Sequence, residues 1–204
     1  MSNRPVEKPV EKTAEPALPR SPELMNANET GLLVVDAQEK LLEVVPRRAE
    51  IVWNIRRLLD AAKVLGVTTA ATEQYPDRLS ATVPELKQRL GSIPNKLCFS
   101  AGVCGSIFEG WRNDGLYRVL VTGIETHVCV MQTALDLVAD GWMVYVAVDA
   151  VGTRRAVDHE TALRRMESAG VVLTSTEAAM FEWCRVAGTA EFKQISALAK
   201  ETAP

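Results

Sequence analysis

Four cysteines, two histidines and a few acids and lysines placed beside apolar runs are the groups with which this chain could do covalent chemistry. Of Cys98, Cys104, Cys129 and Cys184, only Cys129 falls just after an apolar run and inside the first turn of an expected helix. Unpaired N–H groups and the helix dipole favour a negative sulfur there. That field is worth about 0.3 to 1 kcal/mol, or ~2 when partly buried, and it moves a thiol pKa of roughly 8.5 by about one unit. A base and a cation are therefore wanted as well. Asp36 closes the run Leu32-Leu-Val-Val, so its carboxylate should be partly desolvated and its pKa pushed upward. Lys96 is a cation that could favour the thiolate and orient the aspartate. Each residue also has a plainer reading: a buried small hydrophobe for the cysteine, a helix cap for the aspartate and a solvated charge for the lysine. The histidines are worse placed. His127 stands two residues from Cys129 on a helix and points to another side. His159 could complete a Cys-His pair, but its setting, Val-Asp-His-Glu-Thr, reads more simply as a helix start.

These residues need a scaffold that gathers them. From residue 31 onward, short β-branched runs alternate with helical periodicities, the pattern of a parallel sheet built through right-handed crossovers. Strands are expected at 32–36, 67–72, about 96–99, 118–123, 143–149 and 171–174. Ile51, Val52, Ile55, Leu58, Leu59 and Ala62 recur at helical spacing, with Gly66 as the stop. Thr82-Val-Pro-Glu85 has the form of a capping box, and helices are expected over 126–140, 158–169, 177–186 and 190–200. The fold class is a three-layer α/β/α domain with a Rossmann-like or flavodoxin-like open parallel sheet. Ligands bind such sheets beyond the carboxyl ends of the strands, which is where Asp36, Thr72-Glu-Gln-Tyr-Pro76, the stretch Gly123 to Cys129, and Asp149 fall.

Composition removes several classes. Lys and Arg number 23 against 26 acids, a net charge of -3, and no long basic run offers a nucleic-acid footprint. No CxxC pair is present, and the first strand is followed by Asp-Ala-Gln-Glu rather than a glycine-rich dinucleotide or phosphate loop. The apolar stretches fall far short of the roughly 20 residues that cross a bilayer, and the N-terminus lacks an apolar signal core. A cytoplasmic protein with reduced thiols is expected. Five of the ten prolines lie in the first 22 residues, where Pro-Val-Glu-Lys is duplicated at 5–8 and 9–12. Such a segment buries too little to offset its ordering, so residues 1–28 read as a mobile arm and 29–204 as the domain.

Leu-Leu-Val-Val-Asp36-Ala-Gln, Thr-Glu-Gln-Tyr-Pro at 72–76, Asn-Lys96-Leu-Cys-Phe-Ser, and Val-Thr-Gly-Ile-Glu-Thr-His-Val-Cys129-Val-Met-Gln-Thr-Ala together resemble the isochorismatase-like cysteine hydrolases, over nearly all of 31–200. The resemblance is strongest to the isochorismatase-domain proteins of unassigned substrate. It implies an Asp36, Lys96, Cys129 triad that hydrolyses a small molecule, often an amide, through a thioester. It also implies a cis peptide between Ile124 and Glu125, with the amides of Glu125 and Cys129 as the oxyanion hole. Gln38, Glu73, Tyr75, Phe99 and His127 are the expected pocket residues. Relatives of nicotinamidase type hold a metal with Asp-x-His where this chain has Glu73-Gln74-Tyr75, so no catalytic metal and no cofactor are expected, with Glu73 left as a weak ligand at most. Isochorismatases proper can hydrolyse a vinyl ether without a cysteine; Cys129 points to carbonyl chemistry instead. The resemblance implies homo-oligomers too, and a non-catalytic scaffold with the triad kept as structure is the reading from another class.

Overall fold

The computed structural model describes residues 19–204. Six strands, β1 (Thr30–Val35), β2 (Thr68–Gln74), β3 (Asn95–Lys96), β4 (Arg118–Ile124), β5 (Met143–Gly152) and β6 (Val172–Thr174), form one parallel sheet in the order β3-β2-β1-β4-β5-β6. Helices α1 (Glu39–Leu42), α2 (Arg48–Leu65), α3 (Pro76–Leu79), α4 (Pro84–Lys87), α5 (Gly105–Asn113), α6 (Met131–Ala139), α7 (Ala156–Ser168), α8 (Thr176–Cys184) and α9 (Ala190–Ala199) fill the connections. The expected three-layer α/β/α architecture is what the chain adopts.

Alternation along β1 sorts the core. Leu32 and Val34 face a layer with Ile51, Ile55, Leu58 and Leu59 of α2, Met180 and Trp183 of α8, and Ile195 of α9. Leu33 and Val35 face the other layer, with Phe108 and Trp111 of α5, Ala134 and Leu137 of α6, and Met166 of α7. In that second layer Phe108, Trp111 and Trp142 pack edge to face with centroids 5.8 to 6.4 Å apart. Gly66 ends α2 in the left-handed region (φ 72°), its N–H returning to the Ala62 carbonyl. Gly123 is obligatory for a harder reason: its φ is 112°, and a Cβ there would lie 1.9 Å from the Val35 carbonyl oxygen. Strands β1 and β4 can therefore run side by side into the site only with glycine at that position.

Several elements differ from the sequence expectation. β3 is only two residues long, and Leu97 and Phe99, expected in the strand, are 72% and 52% exposed on a loop. Polar contacts made by Lys96 and Gln74 bend the chain away from the sheet, as described below. β5 continues past Asp149 to Gly152 after a register shift against β4, and the Asp149 carboxylate receives the N–H and hydroxyl of Thr176 at the start of α8. The capping box is not formed: α4 starts from Val83 with no side-chain cap, and the Thr82 N–H donates to Glu73 instead. The arm expected over 1–28 is packed from residue 20 onward. Met25 is fully buried, Arg20 donates to the carbonyls of Met25 and Glu182, and Arg118 and Tyr145, near the starts of β4 and β5, reach the carbonyls of Pro22 and Glu23. Those carbonyls offset the low apolar content that suggested mobility. Residues 1–18, with the duplicated Pro-Val-Glu-Lys phrase, lie outside the described residues.

Candidate active site

β1 carries Asp36 to the carboxyl edge of the sheet, where the chain turns into the left-handed region (φ 50°) and the side chain is wholly buried. Aspartate tolerates that conformation better than most residues. The turn aims the carboxylate across β2 toward β3. Thr72 Oγ1 donates to Oδ1 at 2.8 Å, and Lys96 Nζ donates to Oδ2 at 2.6 Å. Lys96 is equally buried and surrounded by oxygens: Gln74 Oε1 at 2.7 Å, the Phe99 carbonyl at 2.8 Å and the Cys98 carbonyl at 3.3 Å. Three ammonium protons thus meet four acceptors, leaving none of them unpartnered. Gln74 Nε2 also donates to the Leu97 carbonyl at 2.8 Å, so the short β3 and the loop beyond it wrap around the ammonium. Burial pushes the Asp36 carboxyl above the usual carboxylate range, while the Lys96 charge and the hydrogen bonds from Lys96, Cys129 and Thr72 pull it back part of the way.

Cys129 approaches the same carboxylate from β4. The chain leaves Ile124 through a cis Ile124–Glu125 peptide and enters a wide π-helical turn, Thr126–Val130, before α6. In an α-helical turn the Cys129 N–H would close on the Glu125 carbonyl. Here that carbonyl receives the N–H groups of Val128 (3.1 Å) and Val130 (3.2 Å), and the bond passes over Cys129. The Cys129 backbone is anchored as well, since Thr133 Oγ1 donates to the Cys129 carbonyl at 2.6 Å and accepts the Ala101 N–H at 2.8 Å.

Burial opposes the thiolate expected from the helix start. Cys129 is only 5% exposed, and burial, followed by the negative charge of Asp36, pushes its thiol up to about 12. A dipole contribution of about one unit is too small to oppose this. The site therefore sets a buried thiol beside a buried carboxylate. Cys98, by contrast, is exposed on the loop.

The remaining expected residues divide. Gln38 is wholly buried with both ends engaged: Oε1 accepts the Gln74 N–H, and Nε2 donates to the carbonyls of Gln74 and Ser80. It braces β2 rather than presenting a free amide. Glu73 is also buried, its carboxylate occupied by the Thr82 N–H, and among the described residues no three of His, Cys, Asp and Glu gather as a metal cluster. Tyr75 and Phe99 are exposed at the rim. His127 lies to the side, its Nδ1 3.0 Å from Thr153 Oγ1, and His159 Nδ1 lies 3.0 Å from Thr126 Oγ1; neither imidazole has Cys129 as a hydrogen-bond partner. The Glu125 side chain is tied by Arg154 (2.9 Å) and Thr153 (3.1 Å). Burial would raise its pKa, but these two donors outweigh that and hold it below the usual range. Sequence reasoning missed Thr72 and Gln74, although period-two alternation puts both on one face of β2 and Glu73 and Tyr75 on the other.

An open parallel sheet with an acid, a lysine and a cysteine at its carboxyl edge is one of the doubly wound α/β architectures, which take ligands at that edge. The comparisons specify which one. The isochorismatase domain model matches residues 30–178, and this chain belongs to the isochorismatase family. It is 40% identical over 173 residues to isochorismatase domain-containing protein 2 of Bos taurus, covering 85% of this chain and 84% of that one. It is 37% identical over 176 residues to the secreted isochorismatase effector Isc1 of Phytophthora sojae, with 83% and 84% covered. Among solved structures, MAR1 ribonuclease from Caenorhabditis elegans superposes with a TM-score of 0.82 at 37% identity, covering 89% of this chain and 94% of that one. YcaC from Pseudomonas aeruginosa, with hexane-2,5-diol and covalent acrylamide, gives 0.78 at 26%, covering 89% and 96%. The ycaC product of Escherichia coli, an octameric hydrolase of unknown specificity, gives 0.79 at 25%, covering 88% and 92%.

Proposed function

We propose that this hydrolase cleaves a small amide or related carbonyl compound through a covalent thioester on Cys129. The observation that carries the reading is the buried Asp36 carboxylate, held on one oxygen by Lys96 and placed against a thiol too weakly acidic to ionise alone. Asp36 takes the thiol proton as sulfur bonds to the carbonyl carbon. It returns that proton to the leaving nitrogen as the C–N bond breaks, then deprotonates water to release the acid and restore the thiol. Lys96 keeps the carboxylate ionised and aimed. The oxyanion falls to the N–H groups of Glu125 and Cys129, a role supported by the π turn, which leaves the Cys129 N–H out of the bond to the Glu125 carbonyl.

Covalent acrylamide in the P. aeruginosa relative supports an amide-sized electrophile here too. The octameric E. coli relative supports a homo-oligomer, and four free cysteines fit a reducing compartment such as the cytoplasm. The net charge of -3 speaks against the polyanionic substrate that a ribonuclease would need.

The test is a panel of small amides, esters and vinyl ethers assayed with the wild type and Cys129→Ala, with intact-mass detection of an acyl adduct. Turnover and an adduct on the wild type that both vanish in Cys129→Ala are expected. Turnover that survives the substitution removes covalent catalysis, and no turnover of any compound favours the scaffold reading.

A further inference from the structure

A cavity of about 230 Å³ lies at the carboxyl edge of the sheet, walled by the loop after α1 (Val45, Pro46, Arg47), Ile51 of α2, the end of β5 (Val151, Gly152, Thr153) and the entry to α7 (Arg154, Ala156, His159). It is roughly the volume of seven or eight liquid waters, room for a ligand of similar heavy-atom count. The strand order reverses between β1 and β4, and this cavity is built from segments that follow β1 and β5 on either side of that reversal, the place where open α/β sheets take ligands. The Asp36, Lys96, Cys129 mechanism does not use it.

Its lining has a definite chemistry. Val45, Pro46, Ile51, Val151 and Ala156 make an apolar floor, and the charged lining residues, Arg47 and Arg154, are both cationic. His159 adds an imidazole whose Nδ1 is fixed by Thr126; burial, then the nearby Arg47 charge, lowers its pKa. Each guanidinium already shares a carboxylate outside the cavity, Arg47 with Glu50 and Arg154 with Glu125. Each pair is neutral overall, but among the described residues each guanidinium keeps its Nη1 without a hydrogen-bond partner, which leaves two charged-group donors, one for each oxygen of a single carboxylate. A compact apolar body ending in one carboxylate matches both the floor and the rim.

We propose that this cavity is a binding site for a small monocarboxylate, separate from the thiol site. Because Thr153 and Arg154 also hold the Glu125 carboxylate, and Thr126 also opens the turn that carries Cys129, the ligand sits against the residues that place the catalytic turn. The assignment of the cavity does not rest on the hydrolase reading.

Calorimetric titration of the full chain with n-pentanoate tests it, with n-pentanamide and inorganic phosphate as the uncharged and apolar-free controls. Pentanoate is expected to saturate with a Kd on the order of 0.1 to 1 mM, with both controls at least about tenfold weaker. Arg47→Gln, at an exposed side chain, should weaken pentanoate about five- to tenfold. Ala156→Phe, at the exposed first residue of α7, should fill the cavity and abolish binding. Cys129→Ala should leave binding unchanged, so loss of turnover and loss of this site are read separately. Pentanamide or phosphate binding as tightly as pentanoate overturns the proposal, as does an affinity indifferent to Arg47→Gln, or no saturable binding at all. If Ala156→Phe does not fold, Arg47→Gln alone decides.

Discussion

Lys96 Nζ stands 2.6 Å from Asp36 Oδ2 with both side chains fully buried, although sixty positions separate them in the chain. Removing one partner leaves the other charged and unpaired in the interior, which costs about 3 to 5 kcal/mol. Lys96→Met is therefore expected to lower Tm by about 6 to 20 °C, at about 2 to 4 °C per kcal/mol for a domain of this size. Asp36→Asn combined with Lys96→Met should recover most of that loss while remaining inactive. Scanning calorimetry of the two single variants and the double settles it, and additive losses would mean that the pair is not coupled.

The pH dependence follows from the same groups. Asp36 must be ionised to accept the thiol proton, and burial raises its pKa despite Lys96. Activity should therefore fall as the pH drops through a value above the ordinary carboxylate range. On the alkaline side Cys129 ionises only near 12, so kcat/KM should show no thiol limb between about pH 7 and about pH 10, where an unperturbed thiol would titrate. A rise in kcat/KM centred near pH 8.5 would show a free thiol acting without its base.

Gln74 is a positioning residue, joining the Lys96 ammonium to the Leu97 carbonyl. Gln74→Leu leaves both without that partner and should reduce kcat about tenfold or more. Gln74→Glu keeps an acceptor but adds negative charge beside Asp36, which disfavours its ionisation. The acid limb of the pH profile should then move upward, a displacement that a purely structural role for Gln74 would not produce.

Two glycines give a graded test of backbone demand. Gly66→Ala meets no atom within 4 Å and carries only the left-handed φ of 72°, a cost of about 1 to 2 kcal/mol. Gly123→Ala drives a Cβ to 1.9 Å from the Val35 carbonyl oxygen, so soluble expression should be lost, or Tm depressed far more than for Gly66→Ala. Equal denaturation midpoints for the two would refute the close approach of β1 and β4.

The layout of the sheet was legible because its strands are β-branched runs, and Asp36 and Cys129 stood out because each follows one. Lys96 was legible as a cation, but the shortness of β3 was not: Leu97-Cys98-Phe99 has strand-like composition, and only the pull of Lys96 and Gln74 on three successive carbonyls turns it into a loop. The π turn left no mark in residue type either. Thr126 to Val130 fits an α-helix equally well, and the wider turn shows only in the Val130 bond to Glu125. Thr72 and Gln74 could have been found from alternation alone, whereas the choice of Glu73 and Tyr75 weighted side-chain reactivity above the face on which it lies.

The two core layers have a practical corollary. The chain has four tryptophans, and the sheet divides them evenly: Trp53 of α2 and Trp183 of α8 report from one side, Trp111 and Trp142 from the other. Double Trp→Phe variants would leave a pair of fluorophores on a single side. Their unfolding curves can then be compared directly, to establish whether the layer that carries the Cys129 turn lets go of the sheet together with the layer built on α2 or before it.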